Sequence, residues 1–227
     1  MYVQDVLREQ VDPDWGGTVA AFTHAGERAL DMIRLPEVAR RWGEPSILDG
    51  FTIGGVAGHL YAVLRTFERR CDTQAPSTTV IVSPAANYAI ARFDRDGDLD
   101  DPAFRVVREG GEWVAARGHT AVADGFERQL RVLVARLAGE RSDRLVVLPD
   151  ASTSATLHDY TETRIVELIV HADDLASSVG AQPEPPPIDA ATIAIDFLVR
   201  SVRHRVGDSA TLRALAGRSD GDVLRAL

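Results

Sequence analysis

The stretch RIVELIVHADDL, residues 164–175, decides the fold because it carries two helical patterns at once. Its apolar residues recur at about 3.6-residue spacing, which is typical of an amphipathic helix. Glu167 and His171 stand four residues apart and therefore lie one above the other on a single helix face. Extended at both ends, the pattern predicts a helix over residues 156–180, with Gly180 suited to the left-handed conformation that ends many helices.

A stripe of polar residues runs along this helix beside its apolar face. At about 100° per residue, the stripe is about 80° wide. Its members are Tyr160, Arg164, Glu167, His171 and Asp174. Because Glu162, Asp173 and Ser177 lie roughly opposite and offer a separate solvent face, the stripe is free to point inward. The competing interpretation is an exposed helix edge, on which Arg164 and Glu167 form an ordinary surface ion pair.

A second histidine favours the inward orientation of the stripe. His59 lies between Val56 and Val63, on or beside the apolar face of its helix. That helix is predicted over residues 51–70, with Thr52 as its N-cap. A lone histidine there is usually a satisfied core residue. Two histidines and a glutamate that project into one bundle are instead a known ligand set for zinc, nickel, iron or manganese, with the remaining positions open to water or substrate.

The remaining chain is mostly helical by its apolar spacing. Further helices are predicted over residues 18–42, weakened at Gly26 and broken near Pro36, and over residues 102–139, with a kink or a delayed start at Gly110 and Gly111. Between the helices, TVIVS (79–83) and RLVVLP (144–149) indicate short strands, and PAANYAIARF (84–93) indicates a short helix. We therefore predict an all-α protein, a four-helix bundle with a C-terminal helical extension and room for one short hairpin.

The proline-rich segment AQPEPPP, residues 181–187, divides the chain because it cannot be helical. Residues 1–180 are expected to form the metal-binding bundle. Residues 181–227 are expected to form a linker and a helical segment, which either packs on the bundle or mediates a homodimer.

Composition limits the partners of this protein. A chain of 227 residues with 45% hydrophobic residues can bury a core, and one cysteine, Cys71, excludes an internal disulfide. The net charge of -9 argues against nucleic acid and anionic membrane as partners. Neither a signal pattern nor an apolar run near 18 residues is present, so a cytoplasmic protein is expected. All 25 basic residues are arginine, a bias typical of a GC-rich, actinobacterial-type genome.

Two motifs together resemble a known family. GFTIGGVAGHL (50–60), followed far downstream by TRIVELIVHADDL (163–175), is similar to the mycothiol-dependent maleylpyruvate isomerase N-terminal domain of the DinB-like metalloprotein superfamily. The resemblance covers most of residues 15–180. It implies one divalent metal, usually zinc, on His59, Glu167 and His171, with the small-molecule thiol mycothiol as co-substrate. The implied activity is that of a thiol-dependent isomerase or S-transferase acting on a small electrophilic substrate.

Three neighbouring residues on the same helix are expected to support the site. Arg164 is expected to orient the Glu167 carboxylate or bind an anionic substrate, with a structural ion pair as the alternative. Asp174 is expected to accept the second imidazole N–H of His171 or to face solvent. Tyr160 either lines the site as a donor or is packed.

Two further residues of the second predicted helix carry expectations. Cys71 lies twelve residues beyond His59, about 18 Å along a helix, and is interpreted as a small buried residue. The pair Gly54 and Gly55 departs from the family pattern and is expected to loosen the start of the helix.

Two other hypotheses remain beside the enzyme. One is a non-catalytic bundle that binds a divalent metal and acts in binding or regulation. The other is a protein without metal. An enzyme requires an open coordination position beside a cavity for the thiol, whereas a binding module requires only a closed site.

Overall fold

The fold is taken from a computed structural model, which describes residues 15–86, 101–149, 152–182 and 184–218. Its helices are α1 (Trp15–Ile33), α2 (Pro36–Arg40), α3 (Ile53–Asp72), α4 (Pro102–Ala115), α5 (His119–Leu137), α6 (Leu157–Val179), α7 (Ile188–Val206) and α8 (Asp208–Leu215). Its strands are β1 (Val80–Ile81), β2 (Leu145–Val147) and β3 (Thr153–Thr156). Within the described ranges, every helix is too short or too polar to span a lipid bilayer.

Four helices form a closed bundle. Each packs against two neighbours, in the order α1, α6, α3, α5 and back to α1. Of the other helices, α4 packs on α3, while α7 packs on α6 and α1 and carries α8. The predicted four-helix bundle with a small hairpin and a C-terminal helical extension is confirmed.

Aromatic rings fill the centre of the bundle. Phe22 of α1 and Phe67 of α3 are fully buried and meet edge to face, with ring centroids 5.6 Å apart. Phe67 also meets Tyr160 of α6 at 5.3 Å. Such pairs contribute about 0.5–1.5 kcal/mol each beyond the burial of their area. Since Phe67 opposes Tyr160 while His59 opposes Glu167, α3 and α6 run antiparallel, and the pair His59 and Glu167 lies about two turns from this aromatic cluster.

Two predicted helices are interrupted. The break expected near Pro36 is confirmed, because α1 ends at Ile33 and Leu35 is extended (φ −56°, ψ 131°) ahead of Pro36, whose ring disfavours the helical conformation at the residue before it. The helix predicted over 102–139 is two helices divided at Gly118, which has a φ of +86°. Gly110 and Gly111 lie inside α4, which begins at Pro102, so the delayed start expected at these glycines is wrong.

A small three-stranded sheet contacts the N-terminal end of α6. Its strand order is β1-β3-β2, with β2 antiparallel and β1 parallel to β3. The strand predicted in RLVVLP is the edge strand β2, and that in TVIVS is the two-residue β1. Residues 84–86 are helical, and the rest of the helix predicted over 84–93 lies outside the described residues. The sequence interpretation contained no strand at β3, which leads directly into α6.

The solvent face expected on α6 is only partly exposed. Asp173 and Ser177 are exposed, as expected. Glu162 is instead covered by α7 and pairs with Arg200 at 2.5 Å. The helical wheel of one segment does not show which of its sides a later helix will cover.

Candidate metal centre

Both helices of the candidate site begin at a threonine that caps them. The Thr52 hydroxyl accepts a hydrogen bond from the Gly55 amide at 2.8 Å, and the Thr156 hydroxyl accepts one from the Asp159 amide at 3.0 Å. Helix α6 ends at Gly180 in the left-handed conformation, with φ of +71°. The predicted N-cap of α3 and the predicted C-cap of α6 are therefore confirmed, and both helices have defined starting points.

Three side chains from α3 and α6 converge between the helices. His59 Nε2 lies 3.2 Å from Glu167 Oε2, and His171 Nε2 lies 3.3 Å from the same oxygen. The two imidazole rings are 4.9 Å apart and nearly perpendicular. The side chains of His59, Glu167 and His171 are 15%, 17% and 22% exposed, so the cluster is recessed but reaches the surface. The polar stripe thus points inward and is not an exposed edge.

The spacing of these atoms suits a divalent cation. One ligand atom from each of the three residues lies within 4.8 Å of the others. Zinc bonds to imidazole and carboxylate are about 2.0–2.1 Å long, so neighbouring ligands at tetrahedral angles stand about 3.3 Å apart. The two nitrogen-to-oxygen distances, 3.2 and 3.3 Å, match that separation. Chemistry and spacing of the donor set therefore both fit a metal ion.

Hydrogen bonds and burial shift the pKa values of the three clustered side chains in different directions. Burial alone lowers the pKa of His171, but its hydrogen bonds to Asp174, at 2.9 Å, and to Glu167 prevail and raise that pKa to about 9. Burial tends to raise the pKa of Glu167, yet the hydrogen bonds from the two imidazoles and the positive Arg164 hold it well below its usual range. The pKa of His59 is lowered, mainly by burial. Without metal, the His171 imidazole is therefore protonated at neutral pH and lies as a cation between the two carboxylates.

The profile of the mycothiol maleylpyruvate isomerase N-terminal domain matches residues 22–176. The chain belongs to this family. The match spans α1 to most of α6, so it includes His59, Glu167 and His171 and stops before α7. No curated protein and no solved structure matches the chain. Family membership relates the protein to mycothiol, a low-molecular-weight thiol, and leaves its substrate open.

Arg164 stands beside the three converging residues of this family member, and Tyr160 lies one turn further from them on α6. The Arg164 guanidinium lies 4.8 Å above the Tyr160 ring, and one of its nitrogens is 4.0 Å from Glu167 Oε1. Its Nε donates to the Thr163 hydroxyl at 3.0 Å. Tyr160 is only 4% exposed, so it packs beneath the guanidinium. Arg164 is 14% exposed and holds its guanidinium charge 4.0 Å from the Glu167 carboxylate.

The glycine pair that departs from the family pattern tightens the start of α3. A Cβ at Gly54 would lie 2.6 Å from the Trp42 indole, and one at Gly55 would overlap the carboxylate of Glu112. The expected loosening is therefore wrong, since the missing side chains let two neighbours close in. Glu112 accepts hydrogen bonds from the amide and hydroxyl of Thr52. Sequence reasoning missed it because sixty residues separate the partners and no local pattern links them.

Cys71 takes no part in the site. It is fully buried at the end of α3, where burial raises the pKa of its thiol. Its carbonyl oxygen accepts hydrogen bonds from Arg136 and Arg144. The interpretation of Cys71 as a small buried residue agrees with this position.

Proposed function

We propose that this protein is a metal-dependent enzyme that uses mycothiol to isomerise, or to transfer the thiol to, a small electrophilic substrate. The observation that carries the proposal is the approach of two imidazole nitrogens to one oxygen of Glu167, at 3.2 and 3.3 Å. Membership in a mycothiol-related family supports the thiol.

Three protein ligands would leave at least one coordination position for an exchangeable group. His59, Glu167 and His171 would hold the cation, and Asp174 fixes the tautomer of His171 by accepting its Nδ1 hydrogen at 2.9 Å. When bound, a divalent cation supplies the charge that deprotonates a coordinated thiol near neutral pH. Zinc is the leading candidate, with nickel, iron and manganese as alternatives that suit the same donors.

Other residues of the chain support the use of an external thiol. The one cysteine is buried and remote, so the protein supplies no nucleophilic sulfur at the site. Arg164 is partly exposed beside Glu167 and offers a cation for an anionic group of the substrate. In an isomerase, the thiol adds to a conjugated double bond, the bond rotates, and the thiol leaves. In a transferase, the adduct is released.

The second candidate is a metal-binding bundle without turnover. It would hold the same cation on the same residues but would not admit a thiol. The exposed fraction of each ligand side chain, 15–22%, favours the enzyme because the three side chains are not sealed from solvent.

Metal content and cobalt spectroscopy test both candidates. Wild type should bind one equivalent of zinc, His59→Ala should lose it, and the matched control His204→Ala, at an exposed position of α7, should keep it. In the cobalt-substituted protein, added mycothiol should produce a sulfur-to-cobalt charge-transfer band. Stoichiometric metal without that band would favour the non-catalytic bundle. Absence of bound metal in wild type, even with added zinc or nickel, would refute the metal centre.

A further inference from the structure

Glu112 of α4 completes the cap of the helix that carries His59. In a capping box, the third residue of a helix has a Glu side chain that accepts the backbone N–H of the N-cap residue. In α3 the third residue is Gly55, which has no side chain. The Glu112 carboxylate takes that place, because it accepts the Thr52 amide at 2.7 Å and occupies the space where a Gly55 side chain would begin. Its negative charge also lies at the positive end of the α3 dipole.

The backbone of α4 forms the wall behind His59. A Cβ at Gly111 would lie 2.6 Å from the Gly55 carbonyl oxygen and 3.3 Å from the Cβ of His59. A Cβ at Gly58 would overlap the Gly111 carbonyl oxygen. The two helices therefore touch through their backbones over the turn that holds His59. Glycine is required at these positions because any side chain would separate the helices.

We propose that Gly111 and Glu112 are positioning residues for the metal centre: they set where α3 stands and thereby where His59 meets Glu167 and His171. The inference rests on the proposed metal site. An added Cβ at position 111 must move from 2.6 Å to at least 3.4 Å from the Gly55 oxygen to reach ordinary contact, a shift of about 0.8 Å. Metal–ligand distances tolerate only about 0.2 Å, so such a shift is several times too large.

The chain offers matched controls for both residues. A Cβ at Gly110, the preceding residue of the same helix, meets no atom within 4 Å. Gly110→Ala therefore controls for Gly111→Ala, because both make the same chemical change in α4. Glu109 is exposed on the same helix, so Glu109→Ala controls for Glu112→Ala. Glu112→Gln keeps an oxygen that can accept the Thr52 amide and serves as the conservative variant.

Cobalt(II) affinity and the visible absorption spectrum of the cobalt protein are the first readouts. Gly111→Ala and Glu112→Ala should weaken cobalt binding about tenfold and alter the spectrum, as loss of supporting contacts does at other metal sites. Gly110→Ala and Glu109→Ala should match wild type, and Glu112→Gln should recover most of the affinity. Equal affinity and spectrum in Gly111→Ala and Gly110→Ala, both folded by circular dichroism, would overturn the proposal. If Gly111→Ala fails to fold, weaker cobalt binding in Glu112→Ala than in both Glu112→Gln and Glu109→Ala supports the proposal. Equal cobalt binding in these three variants overturns it.

A readout without metal separates this inference from the proposed function. The imidazole NMR signals of His59 in metal-free protein should shift in Gly111→Ala and stay in place in Gly110→Ala. If wild type binds no cobalt, the proposed function fails while these signals still decide the positioning role. Unchanged His59 signals in both glycine variants would refute that role even in a metal-binding protein.

Discussion

Metal binding should release one proton, and its pH dependence follows from the charges around His171. In the metal-free protein the pKa of His171 is about 9, so a metal must displace the proton on Nε2 throughout the neutral range. The pKa of His59 is lowered, so this imidazole is already unprotonated there. The apparent zinc affinity should therefore rise about tenfold per pH unit between pH 6.5 and 8 and level off near pH 9.

Replacement of Asp174 should move this profile. Asp174→Asn removes a carboxylate that hydrogen bonds His171, so the pKa of His171 falls and the plateau of affinity begins at lower pH. The matched control is Asp173→Asn, because Asp173 precedes it on the same helix and is exposed. That variant should follow the wild-type curve.

Competition with a chromophoric chelator measures these affinities, after correction for the chelator's own protonation. A slope of zero between pH 6.5 and 8 would show that no proton is displaced, and a slope of two would show that both imidazoles are protonated. Either slope contradicts the reasoning. An Asp174→Asn profile that coincides with the Asp173→Asn profile would do so as well.

The same proton governs the stability of the metal-free protein. A pKa raised in the folded state stabilises the fold at pH values below the unfolded value near 6.5, and that contribution is lost as pH rises through about 9. Its size is on the order of 3 kcal/mol, and it arises from the hydrogen bonds of His171 to the carboxylates of Asp174 and Glu167 together. The midpoint temperature of thermal unfolding should accordingly decrease as the pH is raised from 6.5 to 9.

Two further outcomes test the packing and the identity of the thiol. Gly26→Ala should lower the free energy of unfolding by about 1–3 kcal/mol in urea titrations, because the new Cβ would overlap the Leu130 side chain. Gly16→Ala, whose Cβ meets nothing within 4 Å, should be neutral or slightly stabilising, and equal effects of the two would contradict the packing. Cys71→Ala should leave the thiol-induced charge-transfer band of the cobalt protein intact, since Cys71 is buried away from the site; its loss would place the sulfur in the protein.

Local pattern was sufficient for α6 and for its partner α3. In α6 the apolar period is long, the Thr156 cap precedes it and Gly180 ends it, so each local signal agrees with the others. Elsewhere the signals conflict. Gly118, with its positive φ, breaks a helix that apolar spacing alone extends, while Gly110 and Gly111 stay helical within α4, which packs on α3 through Gly111. Glycine in sequence does not show which of these two roles it fills.

The sequence was enough to predict the donor residues of the candidate site, but not every residue that holds them in place. His59, Glu167 and His171 were recognisable from helix periodicity. It places Glu167 and His171 on one face of α6 and places His59 on or beside the apolar face of α3. Asp174 followed from the same rule, one turn beyond His171. Glu112 did not, because its contact with Thr52 crosses sixty residues and depends on the absence of a side chain at Gly55.

The arrangement without metal explains how the centre keeps its shape before a cation arrives. The two recessed carboxylates, Glu167 and Asp174, would be costly to hold together without a positive charge between them. The proton on His171 supplies that charge, with Glu167 on one ring nitrogen and Asp174 on the other. A metal would replace this proton on Nε2 and keep the Nδ1 hydrogen bond to Asp174. The hydrogen-bonded cluster therefore brings His59, Glu167 and His171 together before a cation binds, which lowers the conformational cost of binding.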